Sequence, residues 1–113
     1  MVTRRYAPDR GDLVWLEFDP QAGHEQAGRR PAFVVSPRLY NERAGLALVC
    51  PITTKPKGYP FEVEVKASGL IGGCILADQI KSVDYRARRL KFVERAAPAL
   101  TAEVLAKVAV LVT

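Results

Sequence analysis

The chain has 113 residues, 49% hydrophobic and 26% charged, with a formal net charge of +5 at neutral pH. That length supports one domain, 1–113, around a single core, and the composition is too apolar for a chain disordered throughout. No apolar stretch approaches the ~20 residues of a membrane helix, so no membrane association is expected.

The charged segment Met1-Val2-Thr3-Arg4-Arg5 is not followed by an apolar segment, which points away from a secretion signal and towards the cytoplasm. Cys50 and Cys74 are too few for a disulfide framework. With the lone His24 they offer at most three soft ligands, none at a metal-binding spacing, so neither a metal nor a cofactor is expected. Free, partly buried thiols are the plain reading.

Short apolar runs between turn signals dominate the chain. Leu13-Val14-Trp15-Leu16-Glu17-Phe18 follows Gly11-Asp12 and stops at Asp19-Pro20. Trp15 occupies an alternating position that reads as core rather than as a stacking platform. Ala32 to Ser36 lies between prolines, Leu46 to Ile52 reads as a buried strand, and Phe61 to Lys66 alternates with period two. Cys74 to Ala77, running on towards Val83, follows Gly72-Gly73, and Leu90 to Val93 is a last short strand.

Only the end reads as a helix. Leu100, Val104, Leu105, Val108, Leu111 and Val112 recur at a 3.6-residue period, with Thr101 as the expected N-cap and Glu103 near the positive end of the dipole. Five or six strands and one terminal helix make a mainly β domain, a strongly curved sheet or small barrel.

The charge is uneven. Residues 1–30 hold five arginines and five carboxylates, whereas Arg86 to Arg95 holds five cations and one acid. This favours a polyanionic partner, though charges of this kind also protect solvated strand edges. The densest polar segment is Gly23-His24-Glu25-Gln26-Ala27-Gly28-Arg29-Arg30-Pro31, which joins two strands. Loops of this kind carry binding and catalysis.

Gly23-x-Glu25-Gln26-x-Gly28-x-Arg30-Pro31, after Gly11-Asp12-Leu13-Val14-Trp15, closely resembles the MazF/PemK/Kid family of toxin endoribonucleases. The resemblance continues through Pro51-Ile52-Thr53-Thr54, Lys57-Gly58-Tyr59-Pro60-Phe61-Glu62 and Leu76-Ala77-Asp78-Gln79-Ile80-Lys81, in order and over nearly the whole chain. It implies a homodimer with an SH3-like barrel of the CcdB/PemK type. Such a protein cuts single-stranded RNA without a metal and is neutralised by a cognate acidic antitoxin of the MazE type. The antitoxin is expected to lie across the loop from Glu25 to Arg30.

The resemblance also implies that Arg30 and Thr53 carry catalysis. RNA transesterification must activate a 2′-OH, stabilise a doubly charged phosphorane and protonate the 5′-oxygen. A guanidinium suits the second task through paired N–H donors and suits general-base work poorly, because it stays protonated. Arg30 is therefore assigned to charge stabilisation, with proton donation to the leaving group open to it. Thr53 would hydrogen-bond a non-bridging oxygen or position the attacking group. Glu25 is the candidate to accept the 2′-OH proton or to orient Arg30.

His24, Gln26, Arg29, Thr54, Lys57, Asp78, Gln79 and Lys81 are the implied substrate contacts. His24 stands where the family pattern usually has a small residue, so it is read as an RNA contact rather than the essential proton carrier. The Lys55-to-Pro60 loop combines cations with an aromatic able to stack a base. Asp78 and Gln79 present edges that can read bases, Lys81 only charge; Asp78 could instead cap a bulge. The rival function is a CcdB-like gyrase poison that binds without cutting. Such proteins rely on a C-terminal tryptophan, whereas this chain ends Val110-Leu111-Val112-Thr113 and its single tryptophan is Trp15.

Overall fold

The computed structural model describes residues 6–17, 28–65 and 69–113. Seven strands form one antiparallel sheet: β1 (Asp12–Glu17), β2 (Arg29–Val34), β3 (Ala47–Thr53), β4 (Glu62–Val65), β5 (Gly73–Leu76), β6 (Lys81–Val83) and β7 (Lys91–Arg95). They run in the order β4-β5-β3-β2-β1-β7, with β6 beside β3. Helix α1 (Arg38–Ala44) links β2 to β3, and helix α2 (Pro98–Val112) ends the chain. This is the expected mainly β fold of barrel type with a C-terminal helix. No helix among the described residues is long and apolar enough to cross a membrane.

Strand β3 is the hub. One edge pairs with β2 (Ala32↔Pro51, Val34↔Val49). Its other edge changes partner along its length, from β6 at Ala47 to Val49 to β5 at Ile52 and Thr53. Pro51 falls where that edge changes hands, so its missing N–H removes no ladder bond there.

Strand alternation divides the apolar residues between two faces. Leu13, Phe33, Cys50, Ile52, Val63 and Ile75 pack with Val104 and Val108 of α2. Val14, Leu16, Ala32, Val34, Ala47 and Val49 pack with Val83 and Tyr85. Trp15 is half-buried against the first cluster. Cys50 and Cys74 are both free and both buried, more fully than expected. Burial pushes the Cys50 thiol up to about 12, with the Asp78 charge adding to the effect.

Several elements differ from the sequence expectation. The described residues hold seven strands rather than the five or six expected, because the run from Cys74 towards Val83 is broken by a 3-10 turn at Ala77–Gln79. Helix α1 was not expected. It starts after Pro37 and ends on the left-handed Gly45 (φ 72°), and its single buried residue, Asn41, is polar, so no apolar stripe announces it. Thr101 is not the N-cap of α2: the helix begins at Pro98, a residue suited to a first turn, and Ala97 is the cap residue. Glu103 consequently lies beyond the first turn. Leu111 and Val112 are exposed, so the apolar stripe is covered only over its earlier part.

Two polar networks fix the chain around the sheet. The carboxylate of Asp12, itself buried, accepts from Tyr6 Oη, from the Asp9 N–H (3.0 Å) and from Arg95 Nη1 (2.9 Å). Gly11 (φ 92°) precedes it, with room for a Cβ only against the Thr101 hydroxyl at 3.0 Å. Gly11-Asp12 therefore anchors the start of β1 to the end of β7. Asn41 donates to the carbonyls of Pro8 (2.8 Å) and Ser36 (3.0 Å) and accepts from Ser36 Oγ. Asn41→Ala orphans these groups in a dry site and should cost about 3 kcal/mol. A fall in the urea midpoint at unchanged m-value will measure it; an unchanged midpoint would refute the importance of the network.

Candidate active site

Strand register, more than loop proximity, brings the site together. On β2, Arg30 alternates with the buried Ala32 and Val34; on β3, Thr53 alternates with Pro51 and the buried Val49. Ala32 pairs with Pro51. The ladder between the two strands ends at that pair; Arg30 lies two residues before Ala32 and Thr53 two residues after Pro51, so alternation puts both on the same face.

Both residues line one open groove of about 820 Å³, with Gly28, Arg29, Pro31, Thr54, Lys55 and Gln79 among its other walls. A smaller pocket of about 230 Å³ adjoins it and shares Thr53, Lys55, Leu76 and Gln79. Lys57, Tyr59, Glu62 and Asp78 complete this second space.

Thr53 Oγ1 accepts the Lys55 N–H at 3.1 Å, a short side-chain turn that orients the hydroxyl and leaves its proton to donate. Across the strands, Thr53 pairs with Cys74 of β5. Gly73 beside it has φ 117°, and a Cβ there would fall 2.3 Å from the Thr53 carbonyl oxygen. Only glycine lets the two backbones approach so closely, and that approach fixes the end of β3. The Arg29 guanidinium lies 6.0 Å from the Trp15 ring centroid, on the neighbouring strand.

Of the residues singled out in the sequence, Arg30, Thr53, Arg29, Thr54 and Gln79 share the larger groove, while Lys57 and Asp78 join through the smaller pocket. Asp78 lies in the 3-10 turn Ala77–Gln79. Lys81 sits on β6 opposite Val49, outside both sets of walls. His24, Glu25 and Gln26 lie outside the described residues. The sequence did not mark Leu76 or Glu62 as pocket walls. Leu76 reads as an ordinary strand residue, and the part Glu62 plays depends on a loop closing back on it.

A guanidinium and a hydroxyl on one wall offer several N–H and O–H donors to phosphate oxygens, with lysines from the 54–60 loop adding charge. Residues 9–112 match the family described as PemK-like, MazF-like toxin of type II toxin-antitoxin system. The chain belongs to this family. Among relatives of the MazF/PemK-like toxin, the endoribonuclease toxin MazF of Escherichia coli (strain K12) is 53% identical over 87 residues, covering 77% of this chain and 78% of that protein. The crystal structure of MazF from Deinococcus radiodurans superimposes with a TM-score of 0.85 at 50% identity, covering 96% and 98% of the two chains. A MazE-MazF crystal structure from the same organism aligns at 0.84 and 44% identity, covering 96% of this chain and 97% of that one.

Proposed function

We propose that this MazF/PemK-like toxin is a sequence-specific endoribonuclease that cuts single-stranded RNA, mRNA included, into 2′,3′-cyclic phosphate and 5′-hydroxyl ends. The observation that carries the reading is that Arg30 of β2 and Thr53 of β3 line one open groove. In this reaction the 2′-oxygen attacks phosphorus, charge builds on the non-bridging oxygens, and the 5′-oxygen departs with a proton. Arg30 would hold the developing charge with paired N–H donors, with donation of the leaving group's proton open to it. Thr53, its oxygen already engaged by the Lys55 N–H, would donate its hydroxyl proton to a phosphate oxygen. Glu25 remains the candidate acceptor of the 2′-OH proton.

No metal is needed in this scheme, since the attacking oxygen belongs to the substrate. Among the described residues no three His, Cys, Asp or Glu side chains gather as a ligand set. Substrate contacts are assigned to Arg29, Thr54 and Gln79 in the groove, to Lys57 and Asp78 in the adjoining pocket, to Lys81 beyond both, and to His24 and Gln26.

The protein would act in the cytoplasm as a homodimer. The exposed Val110, Leu111 and Val112 leave apolar surface on α2 that supports self-association. A cognate acidic antitoxin would neutralise it: a basic groove shaped for phosphates suits a carboxylate-bearing peptide, and a relative is known in a complex of MazE with MazF. The gyrase-poison alternative is disfavoured because the relatives that this chain matches carry the name of endoribonucleases.

The pure protein incubated with a long single-stranded RNA in EDTA should cut it at a small set of sites and leave 5′-hydroxyl ends. An intact RNA, 5′-phosphate ends or a requirement for added divalent metal would each refute the proposal.

A further inference from the structure

The 54–60 loop walls both spaces beside Thr53, yet every one of its seven residues is exposed. Tyr59, the aromatic face it offers, is 58% exposed. No buried side chain gives this segment its shape, so polar ties must do so. The main tie is Glu62, the first residue of β4. Its Oε2 accepts the Lys57 N–H and its Oε1 accepts the Gly58 N–H, each at 2.9 Å. Two successive N–H groups turned towards one carboxylate form a small anion-holding concavity, made possible by the left-handed Gly58 (φ 79°). A second tie comes from α2, where Lys107 Nζ donates to the Pro60 carbonyl at 2.6 Å.

A carboxylate in a groove meant for phosphates repels the substrate unless it serves another end. Both Glu62 oxygens are spent on the loop backbone, which marks it as a structural strut rather than an acceptor of the substrate's proton. We propose that Glu62 is a positioning residue for RNA binding: it clamps the Lys57-Gly58 backbone and so presents Lys57 and Tyr59 to a nucleotide flanking the scissile bond. This rests on the nuclease reading above. The pocket that the clamp shapes, about 230 Å³, is of a size for one unstacked base.

The test compares wild type with Glu62→Gln, which replaces one of the two acceptor oxygens by an NH₂ group facing an N–H donor. KM for a short single-stranded RNA should rise about 10-fold, the effect of losing a charge-assisted bond, while kcat stays within about 2-fold. The pH profile of kcat should not move, and the Lys57 and Gly58 amides should exchange with solvent at least about 10-fold faster. Gly58→Ala is a second route to the same loss. A Cβ there meets nothing within 4 Å, so the variant strains only the backbone. It should also raise KM with kcat preserved.

An unchanged KM in both variants would overturn the proposal, as would wild-type exchange at both amides. A shifted acid limb of kcat in Glu62→Gln would overturn it too, by making Glu62 a proton carrier. Wild-type protein that leaves RNA intact would sink the nuclease reading itself, and the proposed role in RNA binding with it. Amide exchange would then still report whether Glu62 clamps the loop.

Discussion

Arg30→Ala should lower the single-turnover cleavage rate by ~100-fold or more, the usual cost of removing one preorganised donor from a developing oxyanion. Arg30 leaves the end of β2 on the same face as Thr53, and both line the open groove. Its side chain is exposed there rather than packed in the core. Arg30→Lys should recover little, since an ammonium cannot present two parallel N–H donors. Thr53→Ala should hurt less, because it removes one neutral hydroxyl, and His24→Ala least of all. Rates measured at saturating RNA, with binding checked separately, will order the variants. An Arg30→Ala enzyme within a few-fold of wild type would remove the central element of the mechanism.

The second large effect concerns the substrate. Replacing the 2′-OH of the scissile nucleotide by hydrogen should abolish cleavage while leaving binding nearly intact. The attacking oxygen is then gone, whereas the phosphates that meet the lysines and arginines remain. An enzyme that used a water nucleophile would cut the deoxy substrate at close to the normal rate and release an ordinary 3′- or 5′-phosphate. Gel analysis of a chimeric oligonucleotide with a single deoxy position distinguishes the two, and efficient cutting would end the transesterification scheme.

Much of the fold could be read from local pattern. The alternation from Phe61 to Lys66 produced β4, and the apolar spacing from Leu100 produced α2. What escaped was governed by contacts distant in sequence. Helix α1 buries an asparagine whose partners, Pro8 and Ser36, come from other segments, so its sequence carries no periodic apolar signal. The start of α2 was set by Pro98 rather than by the better capping chemistry of Thr101, whose hydroxyl instead faces Gly11. The candidate site divides in the same way. Arg30 and Thr53 came from family resemblance, because nothing in a spacing of this length reveals that β2 and β3 share a register. Glu62 was invisible: a glutamate opening an alternating strand reads as a solvent-facing residue until the loop before it is seen to turn back onto its carboxylate.

The changing partnership of β3 has a consequence for inheritance. Arg30 and Thr53 sit on paired strands whose inner neighbours are fixed by the core, so substitutions nearby are constrained by packing. The 54–60 segment is exposed throughout and is held by polar ties, those to the Glu62 carboxylate and the Lys107 ammonium among them. Exposed positions of this kind can therefore change without disturbing the packed strands, whereas positions beside the β2–β3 ladder cannot.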